Sequence, residues 1–568
     1  MQPRVRIRQA LSRLFDEPPT HTLARLAQQS VETHLLQQVN PLKLPRLAQL
    51  VRQQGLGAHM LHALWAVVTP DRVALDDGAR VMSYFQANQE IDRLKNALAQ
   101  WYDVSLKVPV ALFMENRVEY VTSWIALMRL GASAVHASYR FTPSELQYQL
   151  EHSGARIIIT DTDRLATARA ARDATGEDIA IIVVDPSESR HHDTQNYYEL
   201  IRRAPDRPTK RPRKTGSTNI VYTSGTTGRP KGAMRDFTSF GPKELSRVIE
   251  RLDFRAGDRH LIVAPLYHSA GQVFLLLQMA LGASIHLLPK FDAEATMRTL
   301  SQARINSIFM VPTMLRRVLE LDVSMHTRWP TSSLRAIVSG AAPFPTALRE
   351  RAITRFGASH IFDFYGATEL GWVTLIRGDE MLAHPGSVGT PIAGQHVAIF
   401  AIDGDAMLEV GEVGVVHVRN GQTMSGYLHD AAATAQTSRD GWVSVEDLGR
   451  LDEEGYLYIE GRARDMIISG GVNLYPVEIE ERLAKHPSVR EVAVFGVPDE
   501  TWGERVAAAV VLDDGVDTTT IEDYARAHLT GAKVPRRWVQ LDELPRNQTG
   551  KVLKTSLREL AATEASRS

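Results

Sequence analysis

The densest chemical signal in the chain is the run Ile220-Val-Tyr-Thr-Ser-Gly-Thr-Thr-Gly-Arg-Pro-Lys-Gly232. A β-rich entry leads to Gly225, Gly228 and Gly232, with hydroxyls at Thr223, Ser224, Thr226 and Thr227 and a cation at Lys231. Glycines let backbone N–H groups turn inward around a polyphosphate, hydroxyls add donors, and lysine adds positive charge. The order is not that of a Walker loop, because Lys231 follows Pro230 and is followed by Gly232 rather than a Ser or Thr that could hold magnesium. A plain surface turn needs one or two such residues, not this ordered set. The run reads as a cradle for phosphates.

The elements that must carry it alternate between strand and helix. Val108–Phe113 is a short apolar run, Val118–Leu130 has a helical pattern closed by Gly131, and Thr142-Pro-Ser-Glu145 is a capping box with proline at the first helical position. The β-branched run Arg156–Thr160, a helix over Asp163–Thr175 and a strand over Ile179–Val184 follow. Strands separated by helices of this length imply a largely parallel sheet with helices on both faces. Leu261–Leu288 is apolar, but Pro265, His268, Gln272, Gln278 and His286 interrupt it, so it reads as strand, helix, strand and not as a membrane span. The polar stretch Asp185–Gly216, with Lys210, Arg211, Arg213 and Lys214, reads as a solvated loop.

A second boundary falls near Gly461–Asp465, beyond which about a hundred residues hold their own helices and strands. The expected fold class is α/β: a large N-terminal region of several subdomains with mostly parallel sheets flanked by helices, plus a small, mobile α+β C-terminal domain. The expected domains are a basic, amphipathic extension over 1–55, the large domain over 56–464 and the small one over 465–568.

Composition narrows the classes. With 568 residues the chain exceeds one hydrophobic core, and a formal charge of −1 gives no global pull toward nucleic acid or anionic lipid. The absence of cysteine excludes disulfides, thiolate metal sites and a cysteine nucleophile. The first residues carry Arg4, Arg6, Arg8 and Arg13 without the apolar core of a secretory leader, so the expected location is cytoplasmic. The sequence leaves open a homodimer and peripheral contact with the inner face of a membrane.

Further landmarks follow the phosphate run in order: Ala264-Pro-Leu-Tyr-His-Ser-Ala-Gly271, Val311-Pro-Thr-Met314, Val338-Ser-Gly-Ala-Ala-Pro343, Phe364-Tyr-Gly-Ala-Thr-Glu369, Asp447-Leu-Gly449, Gly461–Asp465, Ser469-Gly-Gly-Val-Asn-Leu-Tyr-Pro476 and Pro545-Arg-Asn-Gln-Thr-Gly-Lys551. The series, from about residue 60 to residue 560, resembles the adenylate-forming superfamily of acyl-CoA synthetases, firefly luciferase and peptide-synthetase adenylation domains. The resemblance implies ATP, Mg²⁺ and coenzyme A: a carboxylate is joined to the α-phosphate of ATP, pyrophosphate leaves, and a thiol takes the acyl group. Catalysis is then mainly positioning and charge neutralisation.

Residue by residue, the resemblance makes Glu369 the magnesium carboxylate, Asp447 the acceptor for the ribose hydroxyls and Arg462 a donor to the same sugar. It sets the adenine against Gly340, Ala341 and Ala342, with Tyr365 stacked opposite, and Asp363 is either the acceptor for the amino group or an ordinary turn residue at a strand end. Gly366 and Thr368 complete the nucleotide set, with Thr223, Ser224, Gly225, Thr226, Thr227, Gly228 and Lys231 on the phosphates. Lys551 bridges carboxylate and α-phosphate. Asp465 is the hinge about which the small domain presents Ser469, Gly470 and Gly471 to a pantetheine arm. Val445-Glu446-Asp447 departs from the usual Thr-Gly-Asp, and Met234-Arg-Asp-Phe237 replaces a histidine-containing stretch; neither removes a catalytic group.

For the acid, no aspartate that would bind an α-amine precedes Ala264–Gly271, so an amino acid is not expected. His268 would stand near the carboxylate at the mouth of an apolar tunnel formed by Gly271, Val273–Leu277 and Met279, a run that is equally a core helix. With the likeness of Val110–Arg117 to long-chain fatty acyl-CoA synthetases and fatty-acid transport proteins, this favours a medium- or long-chain fatty acid and a place in lipid metabolism. The alternatives are a fatty acyl-AMP ligase that loads a carrier protein, an aryl-CoA ligase, and a membrane-associated fatty-acid uptake protein hinted at by the amphipathic Leu44–Val68.

Overall fold

The structure is a computed structural model, and it describes residues 40–54, 57–105, 108–187, 193–205, 218–223, 230–235, 242–470, 472–546 and 552–565. The chain forms two compact units, Met1–Phe309 with Asp322–Ile337, and Met310–Leu321 with Val338–Ser568. The basic cluster 210–214, the loop residues Ser224, Gly225, Thr226, Thr227 and Gly228, and also Gly471 and Lys551 lie outside the described residues.

The first unit holds two sheets of βαβ construction. In one, the strand order is Lys231–Arg235, Asn219–Thr223, Ser133–His136, Pro109–Phe113, Ile157–Asp161, Ala180–Val184 and Gln195–Asn196, and only the first pair is antiparallel. In the other, Val73–Asp76, Ser284–Leu287, Arg259–Ile262 and Ser307–Phe309 run parallel, with Val81–Ser83 antiparallel at the edge. The intervening helices obey the sequence signals. Val118–Leu130 ends in the left-handed Gly131, and Pro143–Ser153 opens on the full capping box of Thr142 and Glu145. The core gathers Trp124, Tyr120 and Ile125 of one helix with Leu112, Ile159 and Ile182 of the strands.

Two sequence readings change here. The apolar run after His268 forms the helix Ser269–Ala280, and its Leu275, Leu276 and Met279 pack into that core while Phe274 stacks on Phe309 at 4.8 Å between centroids. The run is core rather than an acyl tunnel: the helix is buried on nearly every face, its Gln272 and Gln278 included. In the amphipathic stretch Trp65 is buried in that core and Leu47 and Leu61 pack against it partly buried, while Leu44 is exposed; no described helix is long and apolar enough to cross a membrane.

The second unit carries an antiparallel succession, Ile361–Ala367, Gly371–Arg377, Ser387–Pro391, Leu457–Arg462, Asp447–Leu451 and Gly414–Arg419. Residues from Ile467 onward fold about a five-stranded sheet of their own. Its strand Gly503–Leu512 is buried on both faces, and the period-two alternation divides it. Val506, Ala508 and Val510 meet Ile479, Leu483 and Ile521 of two helices, while Ala507, Ala509 and Val511 meet Leu557 and Ala561 of the last helix. The result is the small α+β domain.

Candidate active site

The first unit presents the phosphate hairpin. Thr223 ends one strand and Lys231 opens the next, and the two stand opposite each other in the antiparallel register, as do Tyr222 and Gly232. Residues 224–229 connect these strands, so hydroxyl and ammonium flank the run from which the cradle was inferred.

A buried network fixes the strand that leads there. Asn219 Oδ1 accepts from the Trp124 indole at 2.5 Å and lies 3.2 Å from His136 Nε2, and Tyr120 Oη lies 2.6 Å from His136 Nδ1. Indole nitrogen only donates, so Asn219 must turn its oxygen inward; His136 Nε2 then carries the proton and Nδ1 accepts from Tyr120. Burial holds the His136 ring down at about 4, which keeps it neutral.

Asn116 pins the turn before His268. Its amide donates to the carbonyls of Ala264 (3.0 Å) and Leu288 (3.2 Å) and accepts from Leu266 N at 2.8 Å. His268 itself caps the helix Ser269–Ala280 and lies half-buried, its ring 4.2 Å from that of Tyr267.

The second unit brings together the residues assigned to the nucleoside. Asp447 and Arg462 are directly opposed across two strands, and Arg462 Nε reaches Asp447 Oδ1 at 3.1 Å. Tyr365 Oη donates to Asp447 Oδ2 at 2.8 Å. Both carboxylate oxygens keep lone pairs for sugar hydroxyls. Burial drives the Tyr365 hydroxyl far up, and the Asp447 carboxylate adds to the effect, so it stays a donor. Burial works against the charge of Arg462, but Asp447, Asp465 and Glu369 together raise its pKa.

Glu369 is buried; its carboxylate accepts from Tyr427 Oη at 2.9 Å, and its carbonyl accepts from Met424 N at 2.9 Å. Among the described residues no group of three or more His, Cys, Asp or Glu could hold a metal ion. One carboxylate fits Mg²⁺, which takes few protein ligands and fills its shell with phosphate oxygens and water.

The base site is shaped by backbone. A Cβ at Gly340, where φ is +155°, would lie 2.6 Å from the Phe364 ring, and Ala341 follows in the left-handed region at φ 63°. Glu446, just before Asp447, has the same φ of 63°. A left-handed non-glycine residue costs about 1–2 kcal/mol; these two belong to or adjoin nucleoside assignments, and Asp103, Asp253, Arg304, His429 and Asp440 share the positive φ elsewhere. Asp363 is fully buried. Arg349 holds its Oδ2 at 2.8 Å, while Oδ1 makes no hydrogen bond to a described residue. Burial outweighs the guanidinium and pushes this carboxyl up to about 6.

Gly366 sits at the end of the strand Ile361–Ala367, with Thr368 just beyond it, and Ala342 follows Ala341 in the turn after Gly340. Asp465 closes a short 3₁₀ turn and lies 3.7 Å from Arg558. Ser469 ends a strand, and Gly470 approaches the Trp502 ring so closely that a Cβ would lie 2.5 Å away. Of the neighbouring cations, Lys554 pairs with Glu480 at 3.0 Å and Arg558 with Asp465. Sequence reading missed Asn116, His136, Asn219, Arg349 and Tyr427, none of which lies in a motif that announces its partner.

Comparison with known proteins follows the same lines. The model of the AMP-binding enzyme family matches residues 63–428, and that of the AMP-binding enzyme C-terminal domain matches 478–551. A 2-succinylbenzoate–CoA ligase of Bacillus licheniformis is 31% identical over 509 residues, covering 88% of this chain and 100% of that protein. A feruloyl-CoA synthase of Amycolatopsis sp. is 32% identical, covering 89% and 99%. Among solved structures, the anthranilate CoA ligase AuaEII in complex with anthranoyl-AMP aligns with TM-score 0.81 at 27% identity, over 90% of this chain and 98% of that one. ATP-bound MatB from Rhodopseudomonas palustris aligns with TM-score 0.79 at 28% identity, over 89% and 99%.

The chain belongs to the AMP-binding, adenylate-forming enzyme family. It is an ATP-dependent, AMP-forming CoA ligase that uses a carboxylic acid, ATP, Mg²⁺ and coenzyme A.

Proposed function

We propose that the carboxylic acid is aromatic and the enzyme an aryl-CoA ligase. Acid and ATP give aryl-AMP and pyrophosphate; aryl-AMP and coenzyme A then give aryl-CoA thioester and AMP. The observation that carries this reading is the chemistry in the names of the relatives, 2-succinylbenzoate, ferulate and anthranilate, all aromatic acids. It replaces the fatty-acid expectation. The burial of Leu275, Leu276 and Met279 in the core agrees, since it withdraws the wall proposed for a long acyl chain.

In this reading Thr223 and Lys231 bind phosphates, with the hydroxyl and glycine residues 224–228 between them. Asp363 accepts from the adenine amino group, Tyr365 backs the ring, and Asp447 and Arg462 hold the ribose. Glu369 takes Mg²⁺, which neutralises the phosphates when bound. His268 stands at the acid, and Lys551 offsets the charge that develops between carboxylate and α-phosphate. Asp465 is the hinge, and Ser469, Gly470 and Gly471 receive the pantetheine arm.

The test is a pyrophosphate-release screen over benzoates, cinnamates and fatty acids of graded length, with and without coenzyme A. Aromatic acids should give the highest kcat/KM, and CoA thioester should form stoichiometrically with AMP. A preference for dodecanoate or palmitate over every aromatic acid would return the assignment to fatty acids.

A further inference from the structure

The helix Pro143–Ser153 touches the phosphate hairpin at two points, and no motif of the family assignment accounts for either. Tyr148 Oη donates to the Pro230 carbonyl at 2.9 Å, and His152 Nδ1 lies 2.9 Å from Tyr222 Oη. The residues are four apart and share one helix face. Their rings form a cluster with Tyr222: centroids are 5.5 Å apart for Tyr148 and His152, 6.4 Å for Tyr148 and Tyr222, and 5.7 Å for His152 and Tyr222, the last two edge-on.

The contacts fall on both strands. Tyr222 precedes Thr223 and Pro230 precedes Lys231, and Thr223 and Lys231 are partners across the hairpin. Proline lacks an N–H, so its carbonyl is the one backbone group by which Pro230 can be held. Holding it fixes the plane of the Pro230–Lys231 peptide and hence the direction in which Lys231 leaves the strand. The helix can bear this load, because the Thr142–Glu145 capping box closes its start and Gly154 its end.

We propose that Tyr148 and His152 are positioning residues for ATP: from outside the hairpin they fix its two strands so that Thr223 and Lys231 meet the phosphates in a preset geometry. This rests on the reading that the hairpin binds the phosphates of ATP. Hydrogen bonds made before the ligand arrives lower the cost of ordering the site on binding. The clamp therefore acts on ATP affinity and the adenylation step, not on the acid or on thioester formation.

The experiment uses the full-length enzyme with Tyr148→Phe, His152→Ala, His152→Gln and Lys231→Ala, assayed for ATP-dependent pyrophosphate release and, separately, for CoA thioester formation from supplied acyl-adenylate. Tyr148→Phe removes one hydroxyl and should raise KM for ATP about 3- to 10-fold, the worth of one hydrogen bond. KM for the acid and the thioester rate should not change. His152→Ala should act similarly, and His152→Gln, which can still meet the Tyr222 hydroxyl, should recover most of the loss. Equal losses in both half-reactions that track a fall in Tm would make the cluster a mere packing contact and overturn the proposal, as would an unchanged KM for ATP in both Tyr148→Phe and His152→Ala. If Lys231→Ala leaves KM for ATP unaltered, the phosphate reading of the hairpin fails instead.

Discussion

Replacing Asp447 by asparagine tests the ribose assignment with the least steric disturbance. In the native site Oδ2 accepts from Tyr365 Oη at 2.8 Å and Oδ1 from Arg462 Nε at 3.1 Å. An amide retains one acceptor oxygen. Its NH₂ group cannot face the guanidinium, which has only donors, so it must turn toward Tyr365, whose hydroxyl then accepts rather than donates. The native pairs are therefore partly rebuilt, and the fold should survive with a Tm within a few degrees of the wild type. The nucleotide fares worse. A carboxylate can accept from two sugar hydroxyls while keeping both protein partners, whereas the amide nitrogen accepts from none. One charge-assisted hydrogen bond is worth about 1.5–3 kcal/mol, so KM for ATP should rise by roughly 10- to 100-fold. The assay is acid-dependent pyrophosphate release with ATP titrated at saturating acid, and Tyr365→Phe serves as control. That control removes the Tyr365 donor, leaves the carboxylate intact and should cost less than tenfold. A normal KM for ATP in Asp447→Asn with a depressed kcat would refute the ribose role and make Asp447 a structural acceptor for Tyr365 and Arg462.

Lys551→Ala should slow acyl-adenylate formation by about 10²–10³ and leave thioester formation from supplied acyl-adenylate near wild type; equal losses in both steps would remove Lys551 from the adenylation chemistry. Glu369→Gln should raise the Mg²⁺ concentration needed for half-maximal pyrophosphate release, and an unchanged titration with normal turnover would make Glu369 structural. Asp363 provides a pH signature. With its folded pKa pushed up to about 6 from 3.8, the native state holds this proton longer than the unfolded chain. Its contribution to stability is complete below about pH 4 and lost as pH rises through about 6, an effect on the order of 3 kcal/mol. Denaturation of wild type and Asp363→Asn across pH 4–7 should show that slope in the wild type alone.

Much of the architecture is legible in the sequence. The helix Val118–Leu130 has the bounds that its pattern and Gly131 suggested, and the Thr142–Glu145 capping box is complete. These signals are local, carried by residues within a turn of one another. Asp447 and Arg462 were legible for another reason: each sits in a recognisable motif, although the strand pairing that opposes them is not. What stayed hidden depends on distant partners. Nothing around Asn116 indicates that it will meet Ala264 and Leu288, and nothing near Arg349 indicates Asp363. The misreading of Val273–Met279 has a different origin. Apolar periodicity reports that a helix is covered, not whether protein or substrate covers it.

The buried network of Trp124, Asn219, His136 and Tyr120 converges on one acceptor: the Trp124 indole and His136 Nε2 both donate to Asn219 Oδ1, and Tyr120 stands behind His136 at Nδ1. The indole fixes the amide and the amide fixes the imidazole tautomer, while the Tyr120 hydroxyl has two acceptors, His136 Nδ1 at 2.6 Å and the Leu266 carbonyl at 3.1 Å. Such a network cannot be edited one letter at a time. Asn219→Leu would orphan a buried indole N–H and a buried imidazole N–H together, whereas exchanging the whole set for apolar residues of matching shape would cost far less. Tyr120 and Asn219, nearly a hundred positions apart in the sequence, thus belong to one heritable unit, and divergence at the strand feeding the phosphate hairpin should proceed by joint replacement.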